Sequence, residues 1–510
     1  MDIVAVCVKH WADEQQHRKR ALTEIPFEIL IRGGETIETY LKEVRESSEE
    51  DLVLRRKVCI VGSSRAGKTS LVKSITSMSS TLVADDDHTI SVDLFHLSFT
   101  EEIEDKDSRA GKKYHDVSFW DFAGQDEYHV AHSLFFSRRM LYLLCVDVTA
   151  FNNEVEKSRS HKDQDNEDAA EAVIDAFVRE RVWRWFRMIF TRQPDAEFVL
   201  IATEADGVGN NGEERLQELA VELFGVLDDF KSSFMDEMEK EIEILRKRTS
   251  SETDAETQQV SKSRISELEK LLMQLDESLP SSWTPLNVCD QESIQHARTV
   301  IERVVVDSGR SFLMPKKYSR VLEAIQELRK EKPNQTTKKR IKQIIVQLPT
   351  LRKQLMQSVD ELAEKECDTI LETLHDLGDV LWYARDGLNV LGETVILSAT
   401  LLIEFIRQII CHNPSESGKS MDNQLVEELQ QHGKVAHRLV ESFSLWKRLT
   451  PKQMLQFKLL LQHFRLAFPA GATDMTAESD LIVPAYWHVR QNQVDLEALE
   501  ALSDKITQES

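Results

Sequence analysis

The chain has 510 residues, enough for two or three domains with cores of their own, and its hydrophobic fraction of 41% fits a folded protein. A formal charge of −24 argues against binding nucleic acid or an anionic membrane through bulk electrostatics. The six cysteines, Cys7, Cys59, Cys145, Cys289, Cys367 and Cys411, contain no Cys-x-x-Cys pair, which points to reduced thiols in the cytoplasm and away from a disulfide scaffold or zinc site.

Residues 1–50 read as an N-terminal helical linker, and the first eight residues lack the basic flank and length of a signal sequence. Residues 57–61 then form a strand pattern that leads into Gly62, Ser63, Ser64, Arg65, Ala66, Gly67, Lys68 and Thr69. That spacing, followed by a helical pattern from Ser70, is a phosphate loop in its required strand-to-helix context. The two glycines allow backbone N–H groups to close around anionic oxygens, with the helix dipole adding to the attraction. Lys68 is expected to reach the β and γ phosphates, and Thr69 to ligate Mg²⁺. Ser70 completes the expected phosphate-binding set.

Further along, Thr89 is the candidate for a first switch closing on Mg²⁺, with a β-branched residue opening the strand at 90–96 as the alternative. The strand at 117–121 ends in Asp121, which would hold the metal through water at the carboxyl edge of a sheet. Gly124 would offer its N–H to a γ-phosphate, and Gln125 would orient the attacking water. His129 and His132 read as structural. A strand at 140–148 precedes a polar, charged stretch at 152–168, expected to be a mobile loop. Residues 198–206 form a strand ending in Thr203, Glu204, Ala205 and Asp206, where Asp206 either accepts the N1–H and amine of guanine or caps a helix.

Residues 230–277 carry apolar residues at steps of three and four on both sides of a polar break, the pattern of a helical hairpin. Its stripes either satisfy each other or dock a partner. A strand at 285–288 leads to Cys289 and Asp290. From 311 the pattern is almost wholly helical, over 318–330, 337–347 and 351–377, with a small strand pair expected at 380–383 and 395–397. Lys338–Lys342 reads as a wet helix face, and Trp382, Trp446 and Trp487 as core aromatics. The apolar run 394–403 is too short for a membrane span and belongs in a core, so no integral membrane segment is expected.

The order and setting of these residues resemble the Roc domain of the Roco family, a Ras-like GTPase module followed by a COR domain. Trp120, Asp121, Phe122, Ala123, Gly124 and Gln125, with Tyr128 and His132, are similar to the family's extended second switch. Thr203 to Asp206 is similar to its Thr-His-x-Asp guanine motif, residues 25–41 to the join between leucine-rich repeats and Roc, and 374–383, 395–403, 433–435 and 445–446 to the first part of COR. The resemblance implies an α/β P-loop GTPase domain with a mainly parallel sheet at 51–310, interrupted by 152–168 and 230–277, and a mostly helical COR-like domain at 311–510. It also implies GTP and GDP as ligands, Mg²⁺ as cofactor, slow hydrolysis, a signalling role, and protein partners for the COR-like domain. Arg65, Arg138 and Arg139 are the candidates for a transition-state arginine.

The chain departs from the family pattern in several places. Glu204 replaces the residue that lies over the purine. Leucine-rich repeats and kinase motifs are absent, and the strand-rich second half of COR that commonly carries the dimer contact is missing, which weakens the case for a homodimer by that route without removing it. A nucleotide-binding scaffold without catalysis and a signalling ATPase are the rival readings.

Overall fold

From Leu54 to Val61 every residue of Val53–Val61 (β1) is buried, the signature of a strand covered on both faces. A computed structural model describes residues 26–30, 32–48, 51–83, 92–103, 111–122, 140–162, 167–208, 212–251, 255–330, 337–383, 392–410, 423–471, 474–484 and 486. The other strands of the central sheet are Val92–Ile103 (β2), Gly111–Phe122 (β3), Met140–Asp147 (β4), Glu197–Thr203 (β5), Trp283–Pro285 (β6) and Phe312–Met314 (β7). Their order is β2-β3-β1-β4-β5-β6, parallel except for β2, and β7 runs antiparallel along the start of β1. The mainly parallel sheet expected from the alternating pattern is therefore present.

Alternation along β1 sends Val58 and Ile60 to one face, where they join Phe119, Leu141, Leu143 and Ile201 in an apolar core. Two helices cover that face: Lys68–Ser77 (α1), through Leu71, Val72 and Ile75, and a later one through Ile294, Ala297, Ile301 and Val305. Elsewhere Phe186 packs against Phe190 and Phe198, and Phe198 against Tyr142. Among the described cysteines, Cys59, Cys145, Cys289 and Cys367 form no disulfide, and burial pushes the Cys145 thiol up to about 12, so it is inert. Cys7 and Cys411 lie outside the described residues.

Several expectations are corrected. The stretch at 152–168 is not a loop over its first part: Val148–Lys162 is a helix (α2). Asp147 caps it by accepting from Ala150 N at 2.8 Å, and Phe151, Val155 and Ser158 are buried four or three residues apart. Arg215 secures its outer side by bonding Asn152 at 2.8 Å and Glu156 at 2.5 Å. The hairpin is present but longer than its sequence pattern, as Gly212–Ser251 (α3) and Ala255–Ser278 (α4). Its buried stripes, Phe234, Met238 and Ile242 against Leu268, Leu271 and Leu275, are inward-facing apolar positions.

The expected boundary at 310 also moves. β7 lies beyond it yet pairs with β1, and residues 355–379 belong to the same compact unit as the sheet. The helical span 351–377 breaks between Leu348–Ser358 and Glu364–Asp376, with Glu361 in a left-handed conformation (φ 57°). The last residues of the expected 337–347 helix form Ile345–Gln347, a strand paired with Thr394–Ile396, while the 380–383 strand reduces to one bridge, Leu381 to Ile396.

In the second unit, helix Ala399–Ile410 buries Leu402, Phe405, Ile406 and Ile409, and Phe405 packs on Trp446 and Phe457. Trp382 is buried too, whereas Trp487 lies outside the described residues. Lys458 is fully buried: its amine donates to Ala477 O at 2.9 Å and Ser479 O at 2.6 Å, and burial lowers its pKa to about 8.

Candidate functional site

The parallel register sets Asp121 of β3 beside Ile60 of β1, so the carboxylate arrives where β1 gives way to the loop at Gly62. Gly62 takes φ 140°, and a Cβ there would lie 2.5 Å from the carbonyl oxygen of Cys145, so β4 excludes any side chain. Gly67 enters α1 with φ 68° in the left-handed region, and Arg65 is left-handed as well at φ 65°. The loop is thus wound tightly onto the helix N-terminus.

Lys68 is 7% exposed and lies back across the loop, its amine donating to Gly62 O at 2.9 Å and Ser63 O at 2.7 Å. Burial lowers its pKa, while the neighbouring Asp121 pulls in the opposite direction. Thr69 Oγ1 donates to Asp121 Oδ2 at 2.6 Å, which brings together a hydroxyl and a fully buried carboxylate from segments 52 residues apart. Two hard oxygen donors converging beside a phosphate loop fit Mg²⁺, and Thr69 and Asp121 are the residues that would hold it.

Other predicted residues take different places. Ser64 and Arg65 are exposed on the loop, and Ala66 is buried beneath it. Ser70 turns away, its hydroxyl accepting from Val83 N at 3.3 Å. Thr203 is 2% exposed, with its hydroxyl 3.1 Å from Ala66 O and 3.0 Å from Val146 O, so it ties β5 to the underside of the loop. Asp206 is exposed in the turn Ala205–Val208. Thr89, Gly124, Gln125, His129, His132, Arg138 and Arg139 lie outside the described residues.

Sequence reasoning missed Thr149. Its hydroxyl donates to Glu204 O at 2.6 Å, holding Glu204 in a left-handed conformation (φ 56°), and a Cβ on Gly207 would meet that hydroxyl at 2.2 Å. The only signal for it was its place two residues after β4. The Glu204 carboxyl has its pKa raised, first by burial and then by Asp147 and Asp206.

A glycine loop, a lysine, a threonine and a facing aspartate on a sheet of this order define a Ras-like P-loop domain. Residues 57–206 match the family model described as "Ras of Complex, Roc, domain of DAPkinase". The chain is 29% identical over 193 residues to "Probable serine/threonine-protein kinase pats1" of Dictyostelium discoideum, across 36% of this chain and 5% of that protein. It is 27% identical over 127 residues to "Roc-COR-CHAT protease" from an unknown prokaryotic organism, across 25% of this chain and 12% of that protein. It therefore spans a small part of the length of these curated relatives. A structure of Methanosarcina barkeri Roco2 RocCORdC bound to GDP aligns with a TM-score of 0.44 and 16% identity, covering 86% of this chain and 97% of that one. Residues 57–206 thus carry the match to a Roc domain.

Proposed function

We propose that the chain binds guanine nucleotide with Mg²⁺ in the 62–69 loop, hydrolyses GTP slowly to GDP and phosphate, and passes its nucleotide state to a COR-like region beyond the sheet. The observation that carries this reading is the Thr69 to Asp121 contact at 2.6 Å beside the buried amine of Lys68. Lys68 would turn from the loop carbonyls to the phosphates, and the loop amides would fix the β-phosphate. Bound magnesium would supply charge neutralisation on the phosphate oxygens. Thr69 and Asp121 position it, Thr89 and Gly124 close on the γ-phosphate, Gln125 orients water, and Asp206 selects guanine. The setting is cytoplasmic signalling, with protein partners at the COR-like region and along the 230–277 hairpin. Among the described residues no helix is long and apolar enough to cross a membrane.

Labelled GTP with ATP as competitor tests the base: ATP in excess leaves GTP bound, and equal displacement overturns the guanine assignment. For the chemistry, Gln125→Leu is expected to slow single-turnover hydrolysis about tenfold with binding unchanged. Unaltered turnover with intact binding would remove the role given to Gln125. A second reading, a nucleotide-binding scaffold without catalysis, is favoured by the acidic surroundings of Glu204, since repulsion from Asp147 and Asp206 makes this a poor cover for a purine. On that reading GTP binds and none is turned over.

A further inference from the structure

Three consecutive cations, Arg55, Arg56 and Lys57, are buried in the central strand β1. Two of them meet carboxylates: Arg56 pairs with Glu197, while Arg55 reaches Asp116 at 3.0 Å and Asp379 at 2.5 Å. Lys57 is different. Its amine lies 3.8 Å from the centroid of the Trp120 indole, in a cation–π contact on the sheet face that it shares with Trp120. Only 3% of Lys57 and 2% of Trp120 is exposed.

The third member of this group comes from far along the chain. Helix Glu364–Asp376 ends in a turn in which Leu377 N donates to Thr373 O at 3.0 Å, Gly378 N to His375 O at 2.9 Å and Asp379 N to Leu374 O at 2.8 Å. Gly378 has φ +81°, and a Cβ on it would stand 2.6 Å from Trp120 Cζ2 and 2.8 Å from Lys57 Nζ. The turn therefore rests directly on the indole and the ammonium, with Asp379 clamped by Arg55 beside it.

Burial lowers the Lys57 pKa against the pull of Cys59, Asp379 and Asp376, so holding an ammonium here costs desolvation, and that cost points to a role beyond packing. The adjacent site supplies one. Trp120 immediately precedes Asp121, the carboxylate that holds the Thr69 hydroxyl. Asp379 is also the last residue of the first compact unit before the chain runs into the second.

We propose that Lys57, Trp120 and Gly378 form a positioning clasp through which the Leu377–Asp379 turn sets the placement of Asp121, and with it the retention of magnesium-bound guanine nucleotide. The proposal rests on the guanine-nucleotide reading above and adds to it the residues that exert control. Displacing the turn is the input; a shifted Asp121 is the output.

The test is the release rate of fluorescent GDP from the full chain, in Mg²⁺ and in EDTA, for the unaltered protein, Gly378→Val and Lys57→Met. Each variant is expected to release GDP about tenfold faster in Mg²⁺ and at the unaltered rate in EDTA, because the effect passes through the Thr69 and Asp121 pair. Lys57→Met is expected to melt no lower than the unaltered protein, so it decides the matter should Gly378→Val fail to fold. Equal release of Lys57→Met and unaltered protein in Mg²⁺ overturns the clasp, as does acceleration of the same size in EDTA, which a loosened fold would give. Unaltered protein that retains no GDP removes the guanine reading and the clasp with it. Retention by unaltered protein with unchanged release from Lys57→Met removes the clasp alone.

Discussion

Replacing Lys68 with alanine is expected to weaken GDP and GTP binding at least about a hundredfold, or ~2.7 kcal/mol, while leaving the fold in place. The two effects separate because the amine has opposing roles in the free and bound protein. Without ligand it is buried against Gly62 O and Ser63 O, and burial works against its charge, so removing it relieves a desolvation penalty at the cost of two bonds to loop carbonyls, one of them partly exposed. On the proposed reading the same amine would turn to the polyphosphate, where its charge would attract the phosphate oxygens. Titration with fluorescent GDP gives the affinity and a thermal melt gives the stability. A dissociation constant within about threefold of the unaltered protein would show that this loop does not hold phosphate. Lys68→Arg is expected to bind almost as poorly, because a planar fork cannot fold back into a space shaped for a single ammonium.

What the sequence made legible follows a physical division. The phosphate loop, Asp121 and the central strands were readable because their information is local: buried strands are continuous apolar runs, and a phosphate cradle needs glycines at fixed spacing. α2 was not readable, because four buried positions, Val148, Phe151, Val155 and Ser158, suffice to seat it and the exposed positions between them are polar. The bonds of Arg215 to that polar surface are tertiary and leave no periodic mark. β7 was missed for another reason: three residues are too few to show alternation, and its partner in β1 lies about 260 residues earlier. Residues 355–379 read as part of a helical second domain because helix Glu364–Asp376 has an ordinary amphipathic pattern. What assigns it to the sheet is a set of long-range contacts, Arg32 with Glu372 at 2.7 Å, Lys317 with Glu366 at 3.0 Å and Arg55 with Asp379 at 2.5 Å. Thr203 was expected to bind nucleotide; its hydroxyl lies 3.1 Å from Ala66 O beneath the loop, a placement that only geometry can give.

The pH dependence of stability isolates the buried amine of Lys57. Burial lowers its pKa to about 8, against the pull of Cys59, Asp379 and Asp376, whereas in the unfolded chain it titrates near the ordinary lysine value of about 10.4. Between those values the unfolded chain binds a proton that the folded one does not, so this group makes stability rise with pH through that window. Below about pH 8 both states are protonated and the fold bears the full penalty, about 3 kcal/mol. Lys57→Met removes the titrating group and keeps a flexible apolar chain against the Trp120 ring. At pH 7 the variant is therefore expected to be more stable by up to about 2 kcal/mol, the cation–π contact accounting for the remainder. The advantage should shrink steadily from pH 8 to 10 and vanish above that. Urea unfolding of both proteins at half-unit pH intervals reads the difference directly, and titrating groups not coupled to Lys57 cancel in it. A constant difference across the whole range would mean that Lys57 keeps an ordinary pKa in the fold. A variant less stable at pH 7 than at pH 10, relative to the unaltered protein, would reverse the sign of the argument and make the ammonium a net stabilising contact of the sheet.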